Sequence, residues 1–208
     1  MNLANKIDKS IFAAENDIDT LDRDIFNITG FSSRKFKIFL NKLLSFPDMT
    51  YLEIGCWHGS TLCSALYNNK PERVFAIDNF SQFFDQGNPK ENFIANIKKF
   101  ITCNFKFFDV DCFSFDLNHI DHKVNTYFYD GDHKEEDQYK ALSYYYPVLE
   151  DTFVYICDDF NFMDVRLGTF RAIRDLNLKA EKEWFLPASF NGDTDNWWNG
   201  CYIGILKK

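Results

Sequence analysis

The chain has no run of Lys and Arg, no Cys-x-x-Cys pair, no long apolar stretch and no linker rich in Pro, Gly or Ser. Each absence excludes a class of protein. With no basic run and a formal net charge of -8, the surface repels nucleic-acid phosphates and anionic membranes, so neither partner is expected. No window approaches the about 20 apolar residues of a membrane span. The opening MNLANKIDKSIFAAEND lacks the apolar segment of a signal peptide. The six cysteines (Cys56, Cys63, Cys103, Cys112, Cys157, Cys201) are scattered, several within apolar runs. They read as small reduced hydrophobes rather than as a disulfide frame or zinc site, which points to the cytoplasm. No repeat or low-complexity tract divides the 208 residues, a length that one continuous core can organise. A single domain over 1–208 is the expectation.

What the chain has in excess is Phe, at 24 residues. A Phe-heavy core is the base-rate reading, with an aromatic ligand surface as the alternative. Residues 1–48 read as a helical segment, in which Phe36, Phe39, Leu40, Leu43 and Leu44 recur at helical spacing behind an N-cap at Ser32 or Ser33. From 49 to 208 short apolar runs alternate with amphipathic stretches. Strands are predicted at TYLEIG, RVFAID, NFKFF, VNTYFYD, FVYICDD, EKEWF and CYIGILKK. Helices are predicted at STLCSALYNN, at PKENFIANIKKF behind a capping Asn88, at HKEEDQYKALSYYY up to Pro147, and at VRLGTFRAIRDL. Apolar strands separated by helices imply a doubly wound α/β fold with a mostly parallel sheet. Such folds bind ligands beyond the carboxyl ends of the strands, where this sequence gathers its polar residues.

The first strand runs into Glu53-Ile54-Gly55-Cys56-Trp57-His58-Gly59-Ser60-Thr61. Gly55 and Gly59 allow close approach of a ligand to the backbone and a tight turn into the helix. The spacing is E-x-G-x-x-x-G rather than the dinucleotide-binding G-x-G-x-x-G. Trp57 is placed to line the same pocket. Asp78 ends the second strand, where a carboxylate can accept both hydroxyl protons of a ribose. Asp130, Asp158 and Asp159, from two neighbouring strand ends, offer three oxygen ligands suited to Mg²⁺ or Ca²⁺. An ion there would favour the alkoxide of a substrate hydroxyl. His133, three residues beyond Asp130, has the ordinary pKa of a general base at neutral pH. The loop NGDTDNWWNG carries Trp197 and Trp198, which either stack on a ligand ring or plug the sheet edge or a homo-oligomer interface.

The segments GFSSRKFKIFLNKLL, YLEIGCWHGSTLCSALY, FAIDNFSQF, YFYDGDHKEEDQYKAL and VYICDDF together resemble class I S-adenosylmethionine-dependent methyltransferases of the catechol and macrocin O-methyltransferase type. The resemblance covers roughly residues 29 to 165 and implies a seven-stranded Rossmann-like sheet. It implies that the glycine loop holds the methionine portion, with Thr61 near its carboxylate and Asp78 on the ribose. Asp111 and Cys112 fall where relatives line the adenine pocket, and Asp130, Asp158 and Asp159 where they ligate Mg²⁺. His133 stands where catechol-type relatives place a basic lysine and sugar O-methyltransferases a histidine, which favours a small-molecule acceptor of the sugar kind. The chain departs from the family pattern at Asp151-Thr152, where a Gly-Gly turn is usual. Three other functions stay open: a metal-free N-methyltransferase, a non-catalytic S-adenosylmethionine-binding protein and, disfavoured by the glycine spacing, a nicotinamide-dependent oxidoreductase.

Overall fold

The computed structural model describes residues 1–208. The N-terminal segment forms α1 (Leu3–Glu15), the short α2 (Arg23–Phe26) and α3 (Arg34–Leu43). Of the two candidate serines at α3, Ser33 is the cap: its hydroxyl oxygen accepts the Phe36 N–H at 3.2 Å. The apolar face read from the sequence is buried in full, Phe36, Phe39, Leu40, Leu43 and Leu44 all lying in the core.

The remainder alternates β1 (Thr50–Ile54), α4 (Ser60–Leu66), β2 (Arg73–Asp78), α5 (Pro89–Phe100), β3 (Lys106–Asp109), β4 (Val124–Tyr129), α6 (Glu135–Tyr145), β5 (Leu149–Cys157), α7 (Met163–Asp175), β6 (Lys179–Leu186) and β7 (Cys201–Lys207). The predicted bounds hold to within a few residues. α5 starts where expected because Asn88 accepts the Glu91 N–H and Pro89 occupies the first turn, its missing N–H costing nothing there. β5 starts earlier than its apolar run. Asp151 and Thr152 form no separate turn but lie inside β5, where pairing with β4 jumps from Val124–Leu149 to Thr126–Val154 and the extra residues bulge out.

The seven strands are ordered β3-β2-β1-β4-β5-β7-β6. The first five are mutually parallel, and β7 runs antiparallel to both β5 and β6. Alternation along each strand splits the core in two. Tyr51, Val74, Ala76 and Phe128 face α1, α3, α4 and α5, whereas Leu52, Phe75, Ile77 and Tyr127 face α6 and α7. Most of the phenylalanine is spent here: Phe36, Phe39, Phe75, Phe93, Phe128 and Phe153 are fully buried. No helix is long and apolar enough to cross a membrane.

α6 and α7 approach closely at Gly168, where a Cβ would lie 2.2 Å from the Glu135 carbonyl oxygen and 2.6 Å from Gln138 Cβ. Neither obstacle can swing aside, so Gly168→Ala must push the helices apart. Overpacking of this kind costs about 1–3 kcal/mol. The expected result is a lower urea midpoint at unchanged slope, whereas an unchanged midpoint would show the crossing to be slack.

Candidate active site

The strand order reverses between β1 and β4, and their carboxyl ends meet there. Gly55 has φ +88°, and a Cβ on it would lie 1.9 Å from the Asp130 carbonyl oxygen. Only glycine fits both the left-handed backbone and the contact. The loop beyond it is tied to the end of β2. Asp78 accepts the Trp57 N–H on one carboxylate oxygen and the Phe80 N–H on the other, each at 2.6 Å. Burial raises the pKa of Asp78, and the two N–H donors oppose that shift. Both oxygens keep a lone pair for a ligand diol.

Glu53, Gly59 and Thr61 sit differently from one another. Glu53 is completely buried beneath the loop on the α4 side and does not line the cleft. Its carboxylate accepts the Tyr51 hydroxyl and the Thr61 hydroxyl, both at 2.7 Å. Thr61 reaches the cleft wall, but its hydroxyl proton is committed to Glu53. Gly59 caps α4 with φ +81° and also stays outside the cleft. The acidic residue of the E-x-G motif therefore braces the loop from below, because strand alternation turns position 53 toward α4.

At the ends of β4 and β5 the carboxylates sort themselves. Asp130, His133 and Asp159 each bring one ligand atom within 4.8 Å of the others. His133 Nε2 lies 2.6 Å from Asp159 Oδ2. Asp158 stands outside this set: it is buried, does not line the cleft and accepts the N–H of Asp159 at 2.9 Å. The reason is backbone geometry. Asp159 adopts φ +59°, which turns its side chain toward the cleft while that of Asp158 stays behind. Burial, reinforced by the charge of Asp159, pushes the Asp130 carboxyl well above the usual carboxylate range. Burial and the charge of Asp130 do the same to Asp158. His133 is raised by its bond to Asp159, against the opposing effect of burial.

These groups share one cleft of about 580 Å³, also lined by Asp111 and Cys112, a size ordinary for a small-molecule site. Its other wall is aromatic. Phe31 stacks on Trp57 at 4.7 Å between ring centroids, Phe83 meets Phe31 edge-on at 5.3 Å, and Trp198 lies 6.3 Å from Phe31. Lys37 helps place Phe31: its buried ammonium donates to the carbonyls of Ile25, Phe26 and Ile28, just before the turn at Gly30. Trp57, Phe83, Asp159 and Trp198 all have positive φ, and bulky residues hold that conformation only where the surroundings enforce it. The Trp57 indole N–H, His58 Nε2 and the Tyr129 hydroxyl are buried in these walls with no protein partner.

The two tryptophans of the polar loop part company. Trp197 is a plug, buried against Phe39 with its indole N–H on Glu15, whereas Trp198 faces the cleft. His119 and His122 are surface residues. Sequence reasoning missed Phe31, Phe83, His58 and Asn199. Asn199 donates to Asp159 Oδ1 at 2.5 Å, and nothing local in NGDTDNWWNG signals a partner forty residues away.

Residues 52–160 match the profile of a family described as a methyltransferase domain. The chain belongs to that methyltransferase family. No curated protein matches it in sequence. Among solved structures, the O-methyltransferase from Bacillus cereus in complex with SAH is similar at 12% identity and TM-score 0.62, over 99% of this chain and 100% of that one. The O-methyltransferase TomG from Streptomyces achromogenes, involved in tomaymycin synthesis and solved with SAM, is similar at 11% identity and TM-score 0.58, over 100% of both chains. A SAM-dependent methyltransferase assignment from Streptococcus mutans is similar at 12% identity and TM-score 0.59, over 84% of this chain and 48% of that one. The chain thus spans about half of the last protein and the whole length of the other two. At these identities the likeness is one of fold.

In this methyltransferase the brace under the glycine loop is open to direct test. Burial raises the Glu53 pKa from 4.5 to about 7, against the two hydroxyl donors. The folded state therefore holds this proton more tightly than the unfolded chain does. The stabilisation is complete below about 4.5 and is lost as pH rises through 7, an effect of at most about 3 kcal/mol. Wild type should lose urea midpoint between pH 5 and 8, and Glu53→Gln should flatten that fall. Parallel pH profiles for the two proteins would exclude a titrating Glu53.

Proposed function

We propose that this methyltransferase uses S-adenosylmethionine to methylate a hydroxyl of a small acceptor, a sugar or glycosylated metabolite, with a divalent ion of the Mg²⁺ kind assisting. The observation that carries the reading is the convergence of Asp130, His133 and Asp159 in the cleft that the glycine loop and Asp78 also enter. Supporting it are a fold shared with O-methyltransferases solved with SAH and SAM and cleft walls that leave buried polar atoms without protein partners.

Bound S-adenosylmethionine would supply a methyl group on a sulfonium, which leaves as a neutral thioether. Asp78 would take the ribose hydroxyls, the loop from Gly55 to Trp57 the methionine portion, and Asp111 and Cys112 the adenine side. The acidic donor set suits a hard cation, and an ion there would supply positive charge beside the acceptor oxygen. Asp130 and Asp159 would hold it, with Asp158 standing behind them. His133 takes the hydroxyl proton as the oxygen–carbon bond forms. Its Nε2 is held by Asp159, so Nδ1 is the nitrogen with no protein partner. The catechol and macrocin enzymes remain the family members this reading follows. A metal-free N-methyltransferase is the second reading, favoured by the direct His133–Asp159 pair at 2.6 Å.

Calorimetry should detect S-adenosylmethionine binding and no NAD binding, and the reverse outcome would overturn the reading. His133→Ala should lower turnover by about a hundred- to ten-thousandfold while S-adenosylhomocysteine still binds. Because the base acts neutral, the rate should fall with acidification, and in the metal-free protein, where Asp159 raises its pKa, NMR should show His133 titrating above 6.5. Excess chelator should abolish turnover on hydroxyl acceptors. Full activity with chelator present would favour the metal-free reading.

A further inference from the structure

The loop between β6 and β7 is a compact knot built on Asp193. The Asp193 carboxylate accepts the N–H groups of Ser189 and Asp195 and the amide of Asn196. The backbones of Asp193 and Trp198 exchange two hydrogen bonds. A knot this well satisfied needs no outside support, yet it reaches into the cleft at two adjacent residues. Trp198 forms part of the aromatic wall. Asn199 faces the acidic side and spends its whole amide there: its oxygen accepts the Gly192 N–H at 2.7 Å, and its nitrogen donates to Asp159 Oδ1 at 2.5 Å.

Asp159 needs such a partner. It is almost wholly buried, its other oxygen is engaged by His133, and its left-handed backbone leaves the carboxylate plane to be set by whatever bonds to it. A carboxylate that ligates a metal depends on hydrogen bonds to its second oxygen to aim the first, and losing such a partner costs about ten- to a hundredfold in metal affinity. The Asn199 oxygen is turned to the Gly192 N–H, which leaves the amide nitrogen as the group that faces Asp159.

We infer that Asn199 is the positioning residue of the Asp130–Asp159 cation site, and that through it the Trp198 loop and the cation stabilise one another. This rests on the metal reading proposed above. Coupling of this kind is reciprocal: an ion that orders Asp159 also holds Asn199, and with it the Gly192 N–H.

Mn²⁺ serves as the probe, titrated into the full chain with S-adenosylhomocysteine affinity measured beside it. Asn199→Ala and the isosteric Asn199→Leu should weaken Mn²⁺ binding about ten- to a hundredfold and leave S-adenosylhomocysteine affinity intact. In wild type, Mn²⁺ should slow hydrogen exchange in the segment 187–200, and in both variants that protection should be lost. Asp193→Asn loosens the knot but leaves the Asn199–Asp159 bond in place, so it should lower Mn²⁺ affinity much less than either Asn199 variant does. Unchanged Mn²⁺ affinity in both Asn199 variants overturns the inference. So does an equal loss in Asp193→Asn, or loss of S-adenosylhomocysteine binding together with Mn²⁺, since either assigns Asn199 to loop folding alone. A wild-type protein that binds S-adenosylhomocysteine but no Mn²⁺ removes the metal reading itself, and this inference with it.

Discussion

The carboxyl ends of β1 and β4 lie so close that position 55 tolerates no side chain, and the cleft depends on that contact. The Asp130 N–H donates to the Ile54 carbonyl, the Gly55 N–H donates to the Ile77 carbonyl, and the Asp130 carbonyl oxygen occupies the space a Cβ would need. Three strand ends are thereby locked into one layer at the point where strand order reverses. From that layer the glycine loop departs to one side and the segment carrying Asp130 and His133 to the other. A parallel sheet creates such a crevice wherever its order switches. Here the missing side chain lets it close tightly enough for both halves to face one ligand.

Around that contact the molecule keeps an unusual amount of charge out of water. Glu53, Asp158 and Asp159 are buried and Asp130 is half-buried within a few residues of the switch point, and His133 is the only basic side chain that pairs with them. Burial of this kind normally forces neutralisation, which is why Glu53, Asp130 and Asp158 are all raised. Three of the four are nevertheless provided for: two hydroxyls serve Glu53, a backbone N–H serves Asp158, and an imidazole with an amide serves Asp159. An environment that penalises negative charge while organising its geometry suits the binding of positive charge, whether on a sulfonium or on a metal ion.

The aromatic wall reflects a second use of phenylalanine. Most Phe fills the two core layers, yet Phe31 and Phe83 remain about half exposed at the cleft mouth. They meet Trp57 and Trp198 there although all four come from different connections between elements. Loops that carry ligand contacts on a rigid sheet are the usual division of labour in α/β folds. The positive φ values of Trp57, Phe83 and Trp198 mark where the connections hold shapes their own sequences disfavour.

Much of this was legible from the sequence, for local reasons. Strand and helix positions followed from periodicity, caps and breakers, and the polar strand ends of an alternating α/β chain could fall only on the binding edge. Gly55, Asp78, Asp130, His133 and Asp159, which all line the cleft, were placed on that edge in this way. What the sequence could not show was direction. Two adjacent aspartates look alike in a string, and the left-handed turn at Asp159 separates them. Two adjacent tryptophans look alike as well, and one became core while the other became wall. Glu53 belongs to the motif but points under the loop, because alternation along β1 gives it to α4. Phe31, Phe83 and Asn199 join the site only through packing between segments far apart in the chain, so no local pattern could have announced them. The sequence by itself determined the fold and the edge of the sheet at which the cleft lies. Only the tertiary structure decided which side chains turn into the cleft, because that choice is made by long-range contacts and backbone dihedrals.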